Sequence, residues 1–254
     1  MTSLPSSSNN DRRLALDGAV NFRDIGGYET ESGATIKWQT LYRADGLSNL
    51  SEADIDVMRR LGISSVLDLR TTLEFEGGTF PVEHVAVELH HLPLMNDVPD
   101  PEAFKTIPGF LATSYVEMLE SASTEIAKGL RIVLDPANLP AIVHCSVGKD
   151  RTGVLTALIL GLLEIPRSVI IDDYALSADV MHHVRDRLVA RYPEATDLIE
   201  NADEIFSAAP RNMEFFLDAV TEKWGSIEAY VLSIGLSAEE IAHLRSALLD
   251  QPTP

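Results

Sequence analysis

A histidine, a cysteine and, six positions on, an arginine followed by a threonine stand in one run: His144-Cys145-Ser146-Val147-Gly148-Lys149-Asp150-Arg151-Thr152-Gly153. A short β-rich stretch, Ala141 to Val143, leads into it, and an apolar segment, Val154 to Leu163, leads out. The predicted context is therefore strand, loop, helix. Five residues between Cys145 and Arg151 are enough to curl the backbone so that successive N–H groups point inward. Such a nest on a helix N-terminus binds a dianionic oxyanion. Gly148 permits a backbone angle that a Cβ would resist. The field that attracts phosphate also stabilises a thiolate, which predicts a nucleophilic Cys145 at neutral pH. Arg151 offers a planar fork for two phosphoryl oxygens, which lysine cannot grip bidentately. Thr152 can donate its hydroxyl to the sulfur as the sulfur departs. A lone cysteine is more often a small buried hydrophobe, but that reading leaves the flanking Gly, Lys, Asp, Arg and Thr unexplained. A nucleotide-binding P-loop fits poorly, because the Gly-Lys pair lacks the upstream glycine and the following Ser/Thr.

Such a loop needs a sheet to carry it. Ala34 to Lys37 and Thr40 to Tyr42 suggest small strands, and Ile63 to Leu69 and Val85 to Leu92 are compact β-rich runs. Ser51 with Asp54 three residues on predicts the start of an amphipathic helix that runs to about Leu61 and closes at Gly62. Strand-like runs separated by helical ones point to an α/β fold with a largely parallel central sheet flanked by helices. Between residues 99 and 134 apolar residues recur at helical spacing, as an inserted pair of helices. A crossover packed on the sheet is the plain reading. A lid over the site is the sharper one, because Asp97 to Pro108 carries three prolines and several acids. Arg167 to Asp250 reads as several helices. With no repeat and no break in composition, the expectation is a tail over residues 1–13 and a single domain over 14–254.

Composition narrows the function. The 254 residues are 45% hydrophobic and 23% charged, which is ordinary globular usage. Lys and Arg number 20 against 39 Asp and Glu, a net charge of −19, so nucleic acid or an anionic membrane surface is a poor partner. One cysteine excludes an internal disulfide. The N-terminus lacks the apolar core of a secretory peptide, and Val154 to Leu163 falls far short of the roughly 20 residues of a membrane span. The expectation is a cytoplasmic protein without an integral membrane segment; export without a signal peptide stays an open alternative, as does the oligomeric state.

His-Cys-Xaa5-Arg-Thr resembles the phosphate-binding loop of cysteine-dependent tyrosine and dual-specificity phosphatases. Its Gly-Lys-Asp-Arg-Thr-Gly form is similar to the atypical bacterial branch, which acts on phosphotyrosine, phosphoserine/threonine and, in some members, phosphoinositides. Asn21-Phe22-Arg23-Asp24-Ile25-Gly26-Gly27, Leu41-Tyr42-Arg43-Ala44-Asp45, Asp68-Leu69-Arg70 with Glu74, and Asp173-Tyr174 with Ser177 agree. So does Gly225 to Tyr230 leading to Ile234-Gly235-Leu236, which extends the resemblance from about residue 14 to 249. It implies a protein-tyrosine-phosphatase-like fold and a phosphomonoester hydrolase working through a phosphocysteine, with no metal or other cofactor. Cys145 would be the nucleophile, with Arg151 and the loop residues Ser146, Val147, Gly148, Lys149 and Thr152 binding substrate. The general acid would be Asp150, as the Lys-Asp-Arg branch suggests. Asp97, upstream, and Asp68, at a strand end, are alternatives; Asp68 could equally form a structural ion pair with Arg43 or Arg70. Lys149 would add charge for highly phosphorylated headgroups or stand as a solvated cation. His144 would bond loop backbone rather than act as a base. Arg23 and Asp24, in a Gly-flanked loop, would brace the loop or form a surface pair, and Asp173, Tyr174 and Ser177 would be supporting residues. His90-His91 and His182-His183 read as strand or surface residues. The implied partner is a phosphorylated protein or a phosphoinositide. A rhodanese-like sulfurtransferase and a non-catalytic phosphate-binding module are the competing functions.

Overall fold

Four of the five strand-like runs, all but Ala34 to Lys37, become the parallel heart of a sheet whose carboxyl edge carries the Cys145 loop. The structure, a computed structural model, describes residues 12–97, 110–191, 193–200, 203 and 206–250. In chain order these hold β1 (Arg23–Asp24), β2 (Thr35–Ile36), β3 (Leu41–Ala44), α1 (Glu52–Leu61), β4 (Ser65–Asp68), α2 (Thr72–Glu76) and β5 (Glu88–His91). After them come α3 (Phe110–Ser121), α4 (Ser123–Leu134), β6 (Ala141–His144), α5 (Asp150–Leu162), α6 (Arg167–Ala175) and α7 (Met181–Arg191). The chain continues with α8 (Thr196–Glu200), α9 (Pro210–Trp224), α10 (Ile227–Ser233), α11 (Ala238–Leu248) and β7 (Leu249–Asp250). The main sheet has the order β1-β3-β6-β4-β5, parallel except for β1. Its register aligns Ala44, Asp68 and His144 at one edge, one residue short of Cys145. Strand ends of this kind are where open α/β sheets bind ligands.

Alternation along the strands divides the core. Leu41, Leu67 and Val143 join the larger apolar cluster with α3, α4, α5 and α11, while Tyr42, Val66 and Ile142 pack with Ile55, Met58 and Leu61 of α1. The expected cap of α1 is present: Ser51 and Asp54 form a reciprocal capping box, and Gly62 closes the helix at φ 64°. α5 is buried on almost every side, as its unbroken apolar sequence requires. No helix among the described residues is long and apolar enough to cross a membrane.

Several expectations need correction. Arg12 and Arg13 do not belong to a tail: Arg12 lies over the Tyr28 ring, and Arg13 forms a backbone β-bridge to Arg23 and a side-chain ion pair with Asp179. Residues 1–11 lie outside the described residues, as does 98–109 of the suggested lid; 110–134 forms the expected helical pair. Arg23 and Asp24 form a strand, not a loop. The run from Val85 shortens to four strand residues, because pairing with β4 begins at Glu88. β2 pairs with β7, bringing the described C-terminal end onto the N-terminal hairpin.

Candidate active site

The geometry of the Cys145 loop is set by what holds its carbonyls. Asn21 Nδ2 donates to Val147 O and Gly148 O, each at 3.1 Å, and Arg43 Nη2 donates to Gly148 O at 2.7 Å. With the carbonyls held from behind, the Gly148 N–H is turned to the other side, 3.3 Å from Cys145 Sγ. Gly148 sits at φ 69°, and a Cβ there would lie 2.5 Å from Ala44 O. Glycine is required on both counts. α5 starts at Asp150, so the positive end of its dipole lies at the loop.

The donors are themselves fixed by a buried network. Asp173 takes Arg23 Nε at 3.2 Å and the Tyr28 hydroxyl at 3.0 Å on Oδ1, and Arg43 Nη1 at 2.6 Å on Oδ2. Burial works to raise the Asp173 pKa, but the charges of Arg23 and Arg43 overcome it and hold the carboxyl well below the usual range. Burial and the Arg43 charge pull Arg23 down to about 10, which still leaves it cationic at neutral pH. Asn21 receives Arg23 Nη1 on Oδ1 at 2.5 Å and donates to Ser177 Oγ at 3.3 Å. Asp45 accepts the Val20 and Asn21 N–H groups. Arg23, Asp173 and Ser177 thus brace the loop, while Asp24 holds the Gly26 and Gln39 amides.

Arg151 is held end-on. Glu74 takes Nη1 at 2.5 Å and Nη2 at 3.0 Å, and it also accepts the Ser146 hydroxyl. Two of the five guanidinium N–H groups are thereby spent on Glu74, and among the described residues the Nε edge remains available for an oxyanion. Burial opposes the Glu74 charge, yet hydrogen bonding and attraction from Arg151 lower its pKa to about 2. Glu74 occupies the third position of α2, where its side chain also accepts the Thr71 N–H.

The candidate acids stand in different surroundings. Asp150 Oδ1 accepts the Tyr115 hydroxyl and lies 3.3 Å from Lys149 Nζ. Lys149 is buried and donates to Ser207 O at 3.1 Å, so it is not a solvated cation. Asp68 is fully buried, receives Arg70 through Nε and Nη2, and lies 3.4 Å from His144 Nε2. Burial raises its pKa, but His144 and Arg70 outweigh burial and hold it ionised far below the usual range. Of its two readings, the ion pair with Arg70 is the one the geometry makes. His144 Nδ1 lies 3.4 Å from Cys145 O, against loop backbone as expected. Asp97 is exposed at the edge of the described residues. The buried Thr152 hydroxyl makes no hydrogen bond among the described residues. Asn21 and Tyr115 escaped the sequence reading as site residues; Asn21 had one signal, its place in the motif that contains Arg23.

A sulfur facing a loop amide at a helix N-terminus, with a braced guanidinium and a carboxyl at the helix start, can bind a tetrahedral oxyanion and attack its central atom in line. Known proteins agree with this chemistry. The profile of the tyrosine phosphatase family matches residues 14–250. The triple specificity protein phosphatase PtpB of Mycobacterium tuberculosis is 27% identical over 278 residues, covering 92% of this chain and 98% of that protein. A tyrosine-protein phosphatase of Nostoc commune is 26% identical over 214 residues, 81% of this chain and 73% of its own. The inositol diphosphatase SIW14 of Saccharomyces cerevisiae is 45% identical over 49 residues, 19% of this chain and 17% of its own.

Proposed function

The chain belongs to the tyrosine phosphatase family, cysteine-dependent phosphomonoester hydrolases, and on that premise we propose that Cys145 attacks phosphotyrosine while Arg151 and the loop amides carry the phosphoryl group. In the first step the Cys145 thiolate forms the S–P bond as the P–O ester bond breaks, and Asp150 gives its proton to the departing oxygen. In the second, water attacks phosphorus and yields a proton to Asp150. The S–P bond breaks, the thiolate returns with the Thr152 hydroxyl as its donor, and orthophosphate leaves. Arg151 steadies the equatorial oxygens throughout, with Glu74 fixing the plane of its fork. Lys149, tied to Asp150 and to the Ser207 carbonyl, contributes its charge through the floor of the loop. The observation that carries this reading is the clamping of the Val147 and Gly148 carbonyls by Asn21 and Arg43 while the Gly148 amide faces the Cys145 sulfur.

The resemblance of the loop to the atypical bacterial branch widens the proposed substrate class to phosphoserine/threonine proteins and phosphoinositides, and the name of the inositol diphosphatase SIW14 adds soluble inositol phosphates. The test is a turnover panel of phosphotyrosine and phosphoserine peptides, a soluble inositol polyphosphate and a phosphoinositide, with Cys145→Ser as blank. Phosphate release from the tyrosine peptide that vanishes in the blank is expected. Persulfide formation from thiosulfate without phosphate release would instead favour a sulfurtransferase, and binding without turnover a phosphate-binding module.

A further inference from the structure

Tyr115 stands 35 residues ahead of Asp150, on a different helix, and its hydroxyl reaches the Asp150 carboxylate from the protein interior. Its ring is fully buried and packs edge-on against Tyr174, centroids 6.3 Å apart, and Phe216, 6.1 Å apart. That packing leaves the hydroxyl one place to be. The direction of the hydrogen bonds follows from donor counting. Asp150 Oδ1 accepts whether or not Oδ2 carries a proton, so the single Tyr115 proton goes to it. The Tyr115 oxygen can then only accept, so the Tyr174 hydroxyl, 2.8 Å away, donates to it. Lys149 Nζ lies 3.3 Å from the same Oδ1. Both contacts fall on one oxygen, which makes Oδ2 the oxygen of Asp150 able to carry a transferable proton among the described residues.

We propose that Tyr115 is a positioning residue for proton transfer: by anchoring Asp150 Oδ1 from below, it fixes the carboxyl rotamer so that Oδ2 faces the departing ester oxygen. The inference rests on the reading of Asp150 as the acid. Burial, together with the negative charge of Asp150, raises the Tyr115 pKa well above its ordinary value, so the hydroxyl keeps its proton across the working range. Tyr115 is fully buried and offers the substrate no surface. Its effect therefore belongs in kcat and grows as the leaving group worsens, because a good leaving group departs without a proton.

The experiment is steady-state kinetics of Tyr115→Phe, Asp150→Asn, the double variant and Tyr174→Phe on p-nitrophenyl phosphate, phenyl phosphate and an alkyl phosphate, with thermal midpoints to confirm folding. Tyr115→Phe keeps the ring. Its kcat on the alkyl ester should fall about 10- to 100-fold, the range that misplacing a catalytic group costs. On p-nitrophenyl phosphate the fall should be under about threefold, with KM held. The double variant should lose no more than Asp150→Asn alone. Tyr174→Phe removes a buried hydroxyl from the same chain but not Asp150's own donor, and should keep the wild-type leaving-group slope. Equal losses across the three esters in Tyr115→Phe, or equal slopes in Tyr115→Phe and Tyr174→Phe, would overturn the positioning role while leaving Asp150 in place. An Asp150→Asn variant without leaving-group selectivity would overturn the acid assignment and Tyr115 with it.

Discussion

Replacing Asp173 by asparagine removes one negative charge from beneath the loop and leaves two guanidiniums facing each other in the interior. The side chains of Arg23, Arg43 and Asp173 are all within 1% of full burial, so water cannot replace the lost charge. Breaking a buried pair costs about 3–5 kcal/mol, because the remaining charge is stranded. Asparagine keeps one acceptor oxygen, which places the expectation inside that range although two cations lose their partner. At about 2–4 °C per kcal/mol for a chain of this size, the thermal midpoint should fall by about 6–20 °C. The sign of the pH dependence is fixed by the depressed pKa of Asp173. Its contribution is fully present above the unfolded value of about 3.9 and is lost as pH falls below that into strong acid. The gap between wild type and variant should therefore be constant near neutrality and close only at acid pH. Arg43 also donates to Gly148 O, so turnover of an aryl phosphate should drop at temperatures where the variant is still folded. Urea unfolding at several pH values measures the first effect and steady-state kinetics the second. A destabilisation below about 1 kcal/mol, the cost of an average point substitution, would refute the claim that one carboxylate neutralises both arginines.

Gly148→Ala should cost turnover far more than stability: its Cβ meets the Ala44 carbonyl at 2.5 Å, the loop must shift, and kcat/KM should fall by about 100-fold or more while the protein still folds. Glu74→Gln keeps the size of the side chain but loses its charge and one of the two acceptors that hold Arg151, and kcat/KM for an aryl phosphate should fall about tenfold. The Glu74 pKa is lowered to about 2, so its stabilisation is complete above the unfolded value of about 4.3. Between there and pH 2 it is lost, and wild type and variant should converge in acid unfolding curves. Cys145 should react with iodoacetamide at neutral pH and be protected by phosphate or vanadate; ordinary thiol reactivity indifferent to both anions would contradict the loop assignment.

What could be read from the sequence was local. The strand–loop–helix around Cys145, the Ser51–Asp54 cap and the buried character of α5 all follow from residues within a few positions of one another. The mostly parallel sheet with an inserted helical pair followed from the alternation of such segments. The site's supports lie beyond that reach. Glu74 could be noted as part of a motif, but nothing in its neighbourhood says that it faces Arg151, because that depends on α2 following β4 beside the loop. Lys149 looked like a loop cation; its burial depends on the Ser207 carbonyl far down the chain. Tyr115 read as one apolar position in a helical repeat, which its ring is, and only its hydroxyl serves Asp150. Asp68 and Asp150 are indistinguishable by type, and their neighbours separate them: Arg70 and His144 for one, Tyr115 for the other.

The bracing of the loop by Arg23, Arg43 and Asp173 also constrains when the enzyme comes into being during synthesis. The loop residues themselves are complete by Gly153, yet Asp173 and Ser177 follow about one helix later, and each meets a partner some 150 residues upstream. Pairing of β7 with β2 waits longer still, for residues 249 and 250. Closing such separations costs chain entropy before any contact returns it, and the clamp on the loop cannot form before Asp173 and Ser177 have been made. A chain grown only as far as Gly153 has its nucleophile but not yet the carboxylate that ties Arg23 and Arg43 beneath the loop.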